Sequence, residues 1–251
     1  IWVPNPEAMV EKMLDVAAVT ADDFVIDLGS GDGRNVIGAA KRGARARGVE
    51  FNPDLVEHSR RLAAAAGVAA RTEFVQGDMF AADVSAASVL ALFLLPDNLR
   101  KLTPKFVDMK PGSRIVSNTY EIPGWPADKS ETVRSECAAF CIVFLYVVPA
   151  KVAGKWEIKV AGGETYELNL KQRFQNITES TAGANGRFIR PQGVKLSGKE
   201  ISFVLPDGKN ISRFSGRVNG EAMEGMVDLP GGKGMVKWTA VRTAEAKVVM
   251  E

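Results

Sequence analysis

The chain has 251 residues, 46% hydrophobic and 25% charged, with a net charge of +2, one His and two Cys. That length and apolar content allow one large domain or two modest ones with a sizeable core, and exclude wholesale disorder. The near-neutral balance, without a basic block or an aromatic–basic stripe, argues against nucleic acid. A single His leaves little material for His-rich zinc sites or for Ser-His and Cys-His nucleophiles.

From Ile1 to about Val148, helical and strand patterns alternate, which reads as α/β with a parallel sheet. Met9, Val10, Met13, Leu14 and Ala17 recur at helical spacing within 6–19. Strand one is 24–28, a helix follows at about 35–42, strand two is 46–50, and 53–66 is an alanine-rich helix. Strand three is 72–76 and strand four 88–95. The apolar run 86–95 is too short to cross a bilayer. A helix is expected at 99–109, strand five at 114–118, a loop at 124–129 and two further strands within 133–148. Cys137 and Cys141 are too few for a disulfide framework and are expected as buried or idle thiols. Beyond a boundary at Pro149–Lys155 the helical period vanishes. Short alternating runs at 155–160, 165–174, 201–205, 213–218 and 235–241 suggest a small antiparallel β barrel or sandwich. The expected domains are therefore 1–149 and 150–251. Residues 151–251 carry 16 Lys and Arg against 11 Asp and Glu, which reads as a solvated surface. No signal peptide is visible and a cytoplasmic protein is expected, while the start at Ile1 leaves a removed leader open.

The stretch from Phe24 to Arg34 carries the chemistry. An apolar strand enters a turn with glycines at 29, 31 and 33, where the backbone can approach a ligand closely at a helix start. Asp27 and Asp32 would repel a pyrophosphate there and would attract a ligand bearing an ammonium and a sulfonium, such as S-adenosylmethionine. Three acids follow successive strands: Asp27, Glu50 and Asp78. In a parallel sheet those strand ends share one edge, so the acids would line one crevice. Glu50 lies 23 residues after Asp27, near the offset at which an acid binds ribose hydroxyls. Asp78 would accept from the adenine amine, with Met79 on the ring.

With these residues in view, the first half resembles a class I S-adenosylmethionine-dependent methyltransferase over roughly residues 3–148. Val25–Gly33 is similar to the family's first motif, Gly48–Asn52 to its second and Gly77–Met79 to its third. Val3-Pro-Asn-Pro6, the run from Asp27 to Arg34 and Phe93-Leu-Leu-Pro96 resemble more narrowly a subgroup of small protein-lysine methyltransferases. Those of its members that act on mitochondrial membrane proteins carry an apolar targeting segment that this chain lacks, and they have no obvious counterpart of 150–251. The resemblance implies a Rossmann-like sheet with helices on both faces. It implies that Asp27, Gly29, Ser30 and Gly31 hold the methionine end, Asp27 through the ammonium. Glu50 would take the ribose, Phe51 and Met79 would flank the adenine, and Asp78 would accept from its amine.

Methyl transfer needs mainly alignment and a deprotonated nucleophile. Strand four ends in Leu94-Leu-Pro-Asp-Asn98, without the Asn-Pro-Pro-aromatic motif of enzymes that methylate planar nitrogens. Asp97 and Asn98 are candidate acceptors from an amine, and equally candidate helix caps. Tyr120 and Glu121 after strand five, and Trp2 and Asn5 before the first helix, are candidates for the site wall. His58 reads as a surface residue. In the second half, Gly154-Lys-Trp156 with Arg242 resembles the closure of lipocalin-like barrels, where Arg stacks on the Trp.

The expected activity is methyl transfer from S-adenosyl-L-methionine to an amine, a protein lysine among the candidates, with no metal. The expected partner is a protein or small-molecule acceptor rather than nucleic acid. The rival readings are a small-molecule methyltransferase, a catalytically silent protein that binds a ligand in its C-terminal barrel and, ranked last, a dinucleotide oxidoreductase.

Overall fold

The computed structural model describes residues 3–133, 137, 139–207, 210–231 and 234–249. Two compact units divide at Val148/Pro149.

The first unit is built on a seven-stranded sheet. Its strands are β1 (Phe24–Leu28), β2 (Arg45–Glu50), β3 (Thr72–Gln76), β4 (Val89–Leu92), β5 (Arg114–Asn118), β6 (Lys129–Thr132) and β7 (Ile142–Val147). The order is β3-β2-β1-β4-β5-β7-β6. The first five strands run parallel, and β7 pairs antiparallel with both β5 and β6. The helices are α1 (Glu7–Val16), α2 (Arg34–Lys41), α3 (Pro53–Ala65) and α4 (Pro96–Val107). β1 and β4 are buried almost throughout, as expected of strands covered on both faces. Gly38 lets α1 lie close on α2: a Cβ there would come within 2.8 Å of Val10. Asn52 caps α3 by accepting from the Asp54 N–H at 2.9 Å, with Pro53 in the first turn, where its missing N–H costs nothing.

Chain connection reverses direction between β1 and β4, because β2 and β3 lie to one side of β1 and β4 and β5 to the other. Such a switch point opens a crevice at the carboxyl ends of the strands. At the opposite, amino end, a buried clamp joins β1, β4 and β5. Asp23 accepts from the Thr20 N–H at 2.9 Å and the Ser88 hydroxyl at 2.7 Å, and pairs with Arg114. Burial pushes the Asp23 carboxyl up, but these hydrogen bonds and the Arg114 charge outweigh it and leave it below the ordinary value.

Two expectations need correction here. The two extra strands do not both lie within 133–148: β6 starts at Lys129, in what reads as a loop, because its residues Lys-Ser-Glu-Thr are mostly exposed and carry no apolar alternation. Cys137 and Cys141 are joined in a disulfide. Their Cα atoms are 5.8 Å apart, inside the range that a bridge needs, with Cys141 directly before β7.

The second unit is one antiparallel sheet of nine strands, curled into a half-barrel. Its strands are β8 (Gly154–Val160), β9 (Thr165–Arg173), β10 (Asn176–Ala184), β11 (Arg187–Ile189), β12 (Gln192–Ser197), β13 (Glu200–Asp207), β14 (Asn210–Asn219), β15 (Ala222–Leu229) and β16 (Gly234–Glu245). The order β11-β10-β9-β8-β16-β15-β14-β13-β12 is a run of hairpins apart from the β8–β16 pairing. The sandwich alternative is therefore replaced by a single curled sheet. Its concave side is filled by Phe203 stacked on Phe214 at 4.7 Å, with Trp238 edge-on to both. Gly216 and Gly225 make room at this point, since a Cβ on Gly216 would fall 2.6 Å from the Trp238 ring. Arg242 lies over Trp156 at 4.7 Å, as the two residues suggest from sequence. Buried Gln172 accepts from the Val152 and Ala153 N–H groups and donates to the Ala150 and Phe174 carbonyls, so each of its polar atoms is satisfied.

Candidate active site

At the switch point lies a cavity of about 540 Å³. The end of β1, the turn after it and the first residues of α2 contribute Asp27, Gly29, Ser30, Asp32, Arg34 and Asn35; the end of β2 and the start of α3 contribute Glu50, Asn52 and Leu55; and the segment after β4 with the first turn of α4 contributes Phe93, Leu94, Leu95 and Asn98. Val3, Pro4 and Asn5 from the segment before α1, Tyr120 after β5 and Phe140 before β7 complete the wall.

The turn owes its shape to glycine. Gly29, Gly31 and Gly33 have φ of 72°, 55° and 78°, in the left-handed region that costs other residues energy. At Gly33 a Cβ would also fall 2.5 Å from the Phe74 ring, and at Gly48 one would fall 2.5 Å from the Ser30 hydroxyl. The loop is thereby pressed onto β2, and Glu50 at the end of β2 ties it down. One Glu50 oxygen accepts from the Gly31 N–H at 2.9 Å, and the other from the Asn52 N–H at 2.9 Å.

The two loop acids, alike in sequence, differ in state. Asp32 is clamped by Arg34, whose guanidinium approaches both carboxylate oxygens at 2.6–3.1 Å, so its charge is largely spent locally. Asp27 is 3% exposed, and its hydrogen bond comes from an amide, Asn35 Nδ2 at 3.1 Å. Burial pushes its carboxyl well above the usual range; the Asn35 bond offsets this in part, and the nearby charges of Glu50 and Asp32 add to it. A buried acid in that condition is stabilised by an incoming cation.

The sequence candidates divide accordingly. Asp27, Gly29, Ser30, Glu50, Asn98, Tyr120 and Asn5 line the cavity. Gly31 does not line it but orients Glu50. Phe51 is 77% exposed, and Asp78 is exposed, with one oxygen accepting from its own turn's Phe80 N–H. Both, with half-buried Met79, stand outside the cavity lining, beyond Glu50. Asp97 stands exposed outside the cavity lining, in the first turn of α4, where it pairs with Arg100 at 3.1 Å. Glu121 is exposed and outside the lining, and His58 is exposed. Trp2 lies outside the described residues. Sequence reasoning missed Arg34, Asn35 and Phe140 as site residues. The first two sit in a helix start that reads as ordinary, and Phe140 lies between the bridged Cys137 and Cys141, which read as idle thiols.

The cavity fits a cationic nucleoside-bearing ligand on three counts. Asp27 is a buried carboxylate without a charge partner in its hydrogen bonds. Ser30 Oγ is buried and lacks a hydrogen-bond partner among the described residues. Gly29 lines the cavity, and a Cβ there would stand 3.5 Å from Leu94, another lining residue, so the glycine keeps that wall clear. Fold and site together define a class I methyltransferase using S-adenosylmethionine.

Comparison with known proteins agrees. The family model for the ANTKMT methyltransferase domain matches residues 27–129. A protein-lysine N-methyltransferase of Saccharolobus islandicus is 40% identical over 151 residues, 59% of this chain and 92% of that protein. The adenine nucleotide translocase lysine N-methyltransferase of Mus musculus is 36% identical over 103 residues, 40% of this chain, which spans less than half of that relative's length (45%). A crystal structure of an RNA methyltransferase from Salinibacter ruber, in complex with S-adenosyl-L-homocysteine, is 40% identical, with a TM-score of 0.56, over 60% of this chain and 96% of that one. The chain belongs to this family of S-adenosylmethionine-dependent methyltransferases. No helix among the described residues is long and apolar enough to cross a membrane.

Proposed function

We propose that the chain methylates the side-chain amine of a protein lysine, with the unit ending at Val148 carrying the reaction. The observation that carries this reading is the apolar part of the cavity lining. Val3, Phe93, Leu95 and Phe140 form an apolar wall, with Phe140 tilted against Phe93 at 5.4 Å, and Asn98 and Tyr120 are the polar groups near it. Such a wall suits an aliphatic stem that ends in an amine. The 40% identity to a protein-lysine N-methyltransferase over 92% of its length supports the same substrate class.

The cofactor, when bound, supplies a methyl group already activated by its positive sulfur. Asp27 would bind its ammonium and Glu50 its ribose hydroxyls, each of the two carboxylates having lone pairs left over after the contacts described. Asn98 Oδ1 and the Tyr120 hydroxyl would accept hydrogen bonds from the neutral amine and aim its lone pair along the line of displacement. The apolar wall favours the neutral amine over the ammonium, because desolvation disfavours the charged form. The proton released as the nitrogen is methylated leaves to solvent.

A second reading, methylation of RNA, rests on the Salinibacter relative at equal identity. Incubating the protein with methyl-labelled cofactor and a lysate, then dividing the product between protease and nuclease digestion, separates the two. Label that resists nuclease and appears as methyl-lysine is expected. Label released by nuclease would replace the lysine reading with the RNA one.

A further inference from the structure

Asp27 is the end of a line of side-chain hydrogen bonds that crosses the unit. The Thr119 hydroxyl donates to Asn118 Oδ1 at 3.0 Å, and Asn118 Nδ2 donates to Asn5 Oδ1 at 2.7 Å. Asn5 Nδ2 donates to Asn35 Oδ1 at 3.1 Å, and Asn35 Nδ2 donates to Asp27 Oδ2 at 3.1 Å. The members come from four places: the end of β5, the segment before α1, the first turn of α2 and the end of β1. Asn118, Asn5, Asn35 and Asp27 are 0%, 4%, 4% and 3% exposed.

Three fully buried amides in a row are costly unless each is bonded, and packed apolar residues would serve stability at least as well. Their arrangement points to another purpose. An ionised carboxylate only accepts, so Asn35 must turn its NH2 to Asp27 and its carbonyl to Asn5. The same constraint passes to Asn5 and then to Asn118, whose carbonyl is met by a hydroxyl that can donate. Every link runs in one sense, and that sense is dictated by the charge at Asp27. Asn5 is held twice, since Arg34 also donates to its backbone carbonyl.

We propose that Asn35, Asn5 and Asn118 are positioning residues: their amide relay aims the Asp27 carboxylate at the cofactor's ammonium and couples it to the N-terminal wall at Val3–Asn5 and to the Tyr120 turn on the acceptor side. The proposal rests on the cofactor reading of Asp27. It gives the buried amides a role beyond packing, because Tyr120 follows directly on Thr119 and its N–H donates to the Asn118 backbone carbonyl at 2.7 Å. Seating the cofactor and shaping the acceptor wall thereby share one set of bonds.

Calorimetric titration with S-adenosylhomocysteine between about pH 5 and pH 8 tests it, using wild type, Asn35→Ala, Asn118→Ala and the isosteric Asn118→Asp. The charges facing Asp27 are Glu50 from β2 and, on its own turn, Asp32 paired with Arg34. From α1's leading segment and from β5 only amides and a hydroxyl take part in the relay. Loss of the donor to a carboxylate disfavours its ionised form, so as pH falls affinity should be lost at a higher pH than in wild type. Asn35→Ala should weaken binding about 10- to 100-fold and move the pH midpoint up by about one unit. Asn118→Ala, three links from Asp27 and outside the cavity lining, should weaken binding about threefold to tenfold and move the midpoint in the same direction. Asn118→Asp keeps the shape, loses the donor and should do at least as much. In wild type, the Asn5 and Asn118 side-chain NH2 resonances should shift when S-adenosylhomocysteine binds, a readout that needs no variant to fold. Asn118 variants whose affinity stays within twofold and whose pH midpoint does not move, or amide resonances unmoved by binding, would overturn the relay. A wild-type protein that does not bind S-adenosylhomocysteine would instead sink the cofactor reading beneath it.

Discussion

At the scale of single residues, function and stability conflict most openly at Asp27. Its carboxyl is pushed above the usual range, chiefly by burial. For an acid whose folded pKa is raised, the folded state binds protons more tightly than the unfolded one. Stability then falls as pH rises from the ordinary aspartate value through the raised one. Asp27→Asn should therefore raise the apo melting temperature at pH 7 by about 2–4 °C while weakening cofactor binding at least about 100-fold. Thermal melts and calorimetry on the same variant check both, and a variant that melts lower would contradict this account of the charge. Gly48→Ala should also weaken binding, by about tenfold, because its Cβ would meet the Ser30 hydroxyl at 2.5 Å and Phe74 at 2.9 Å and push the loop off β2.

Residues of this kind were only partly legible in the sequence. The glycines at alternate positions and Glu50 announce themselves because one turn and one strand end carry them. The separate fates of Asp27 and Asp32 did not, since the clamp on Asp32 depends on how Arg34 folds back at the helix start. Asn35 and Asn118 gave no signal at all: they lie 30 and 113 residues from Asn5, their shared partner, beyond any local period. Asp97 reads as either cap or acceptor; in the structure the N-cap is Leu95 and Asp97 pairs with Arg100. The cysteine pair misled because a spacing read as one face of a helix or strand does not tell whether two thiols are oriented to bond, as Cys137 and Cys141 are.

Among elements, the sheet's two ends do different work. The carboxyl end collects the cavity; the amino end holds the strands together through Asp23, Ser88 and Arg114. Breaking a buried pair leaves an uncompensated charge, so Asp23→Ala should cost about 3 kcal/mol in denaturant unfolding. Because the Asp23 carboxyl is held below its ordinary value, its contribution is present above the unfolded value and is lost as pH falls through the folded one. The wild-type advantage over Asp23→Ala should therefore shrink at acidic pH. Parallel strands were readable from their apolar runs and the helices between them. β6 was not, because an exposed strand of Lys-Ser-Glu-Thr carries no such pattern.

The whole molecule comprises two units with separate hydrophobic cores, one around α1, α2 and the central strands and one around Trp156, Phe203, Phe214 and Trp238. Each core should respond to its own damage. Trp238→Ala should cost the second unit about 3–5 kcal/mol and leave S-adenosylhomocysteine affinity within about twofold, since the ligand is read by the unit ending at Val148. Calorimetric unfolding with and without ligand checks this, the ligand raising only the transition of the first unit. The measurement that bears most directly on the central claim is the chemical identity of the methylated product. After incubation with methyl-labelled S-adenosylmethionine and total lysate protein, acid hydrolysis should yield labelled methyl-lysine, and Asp27→Asn should yield none. Label recovered in nucleic acid, or in no amine at all, would contradict it.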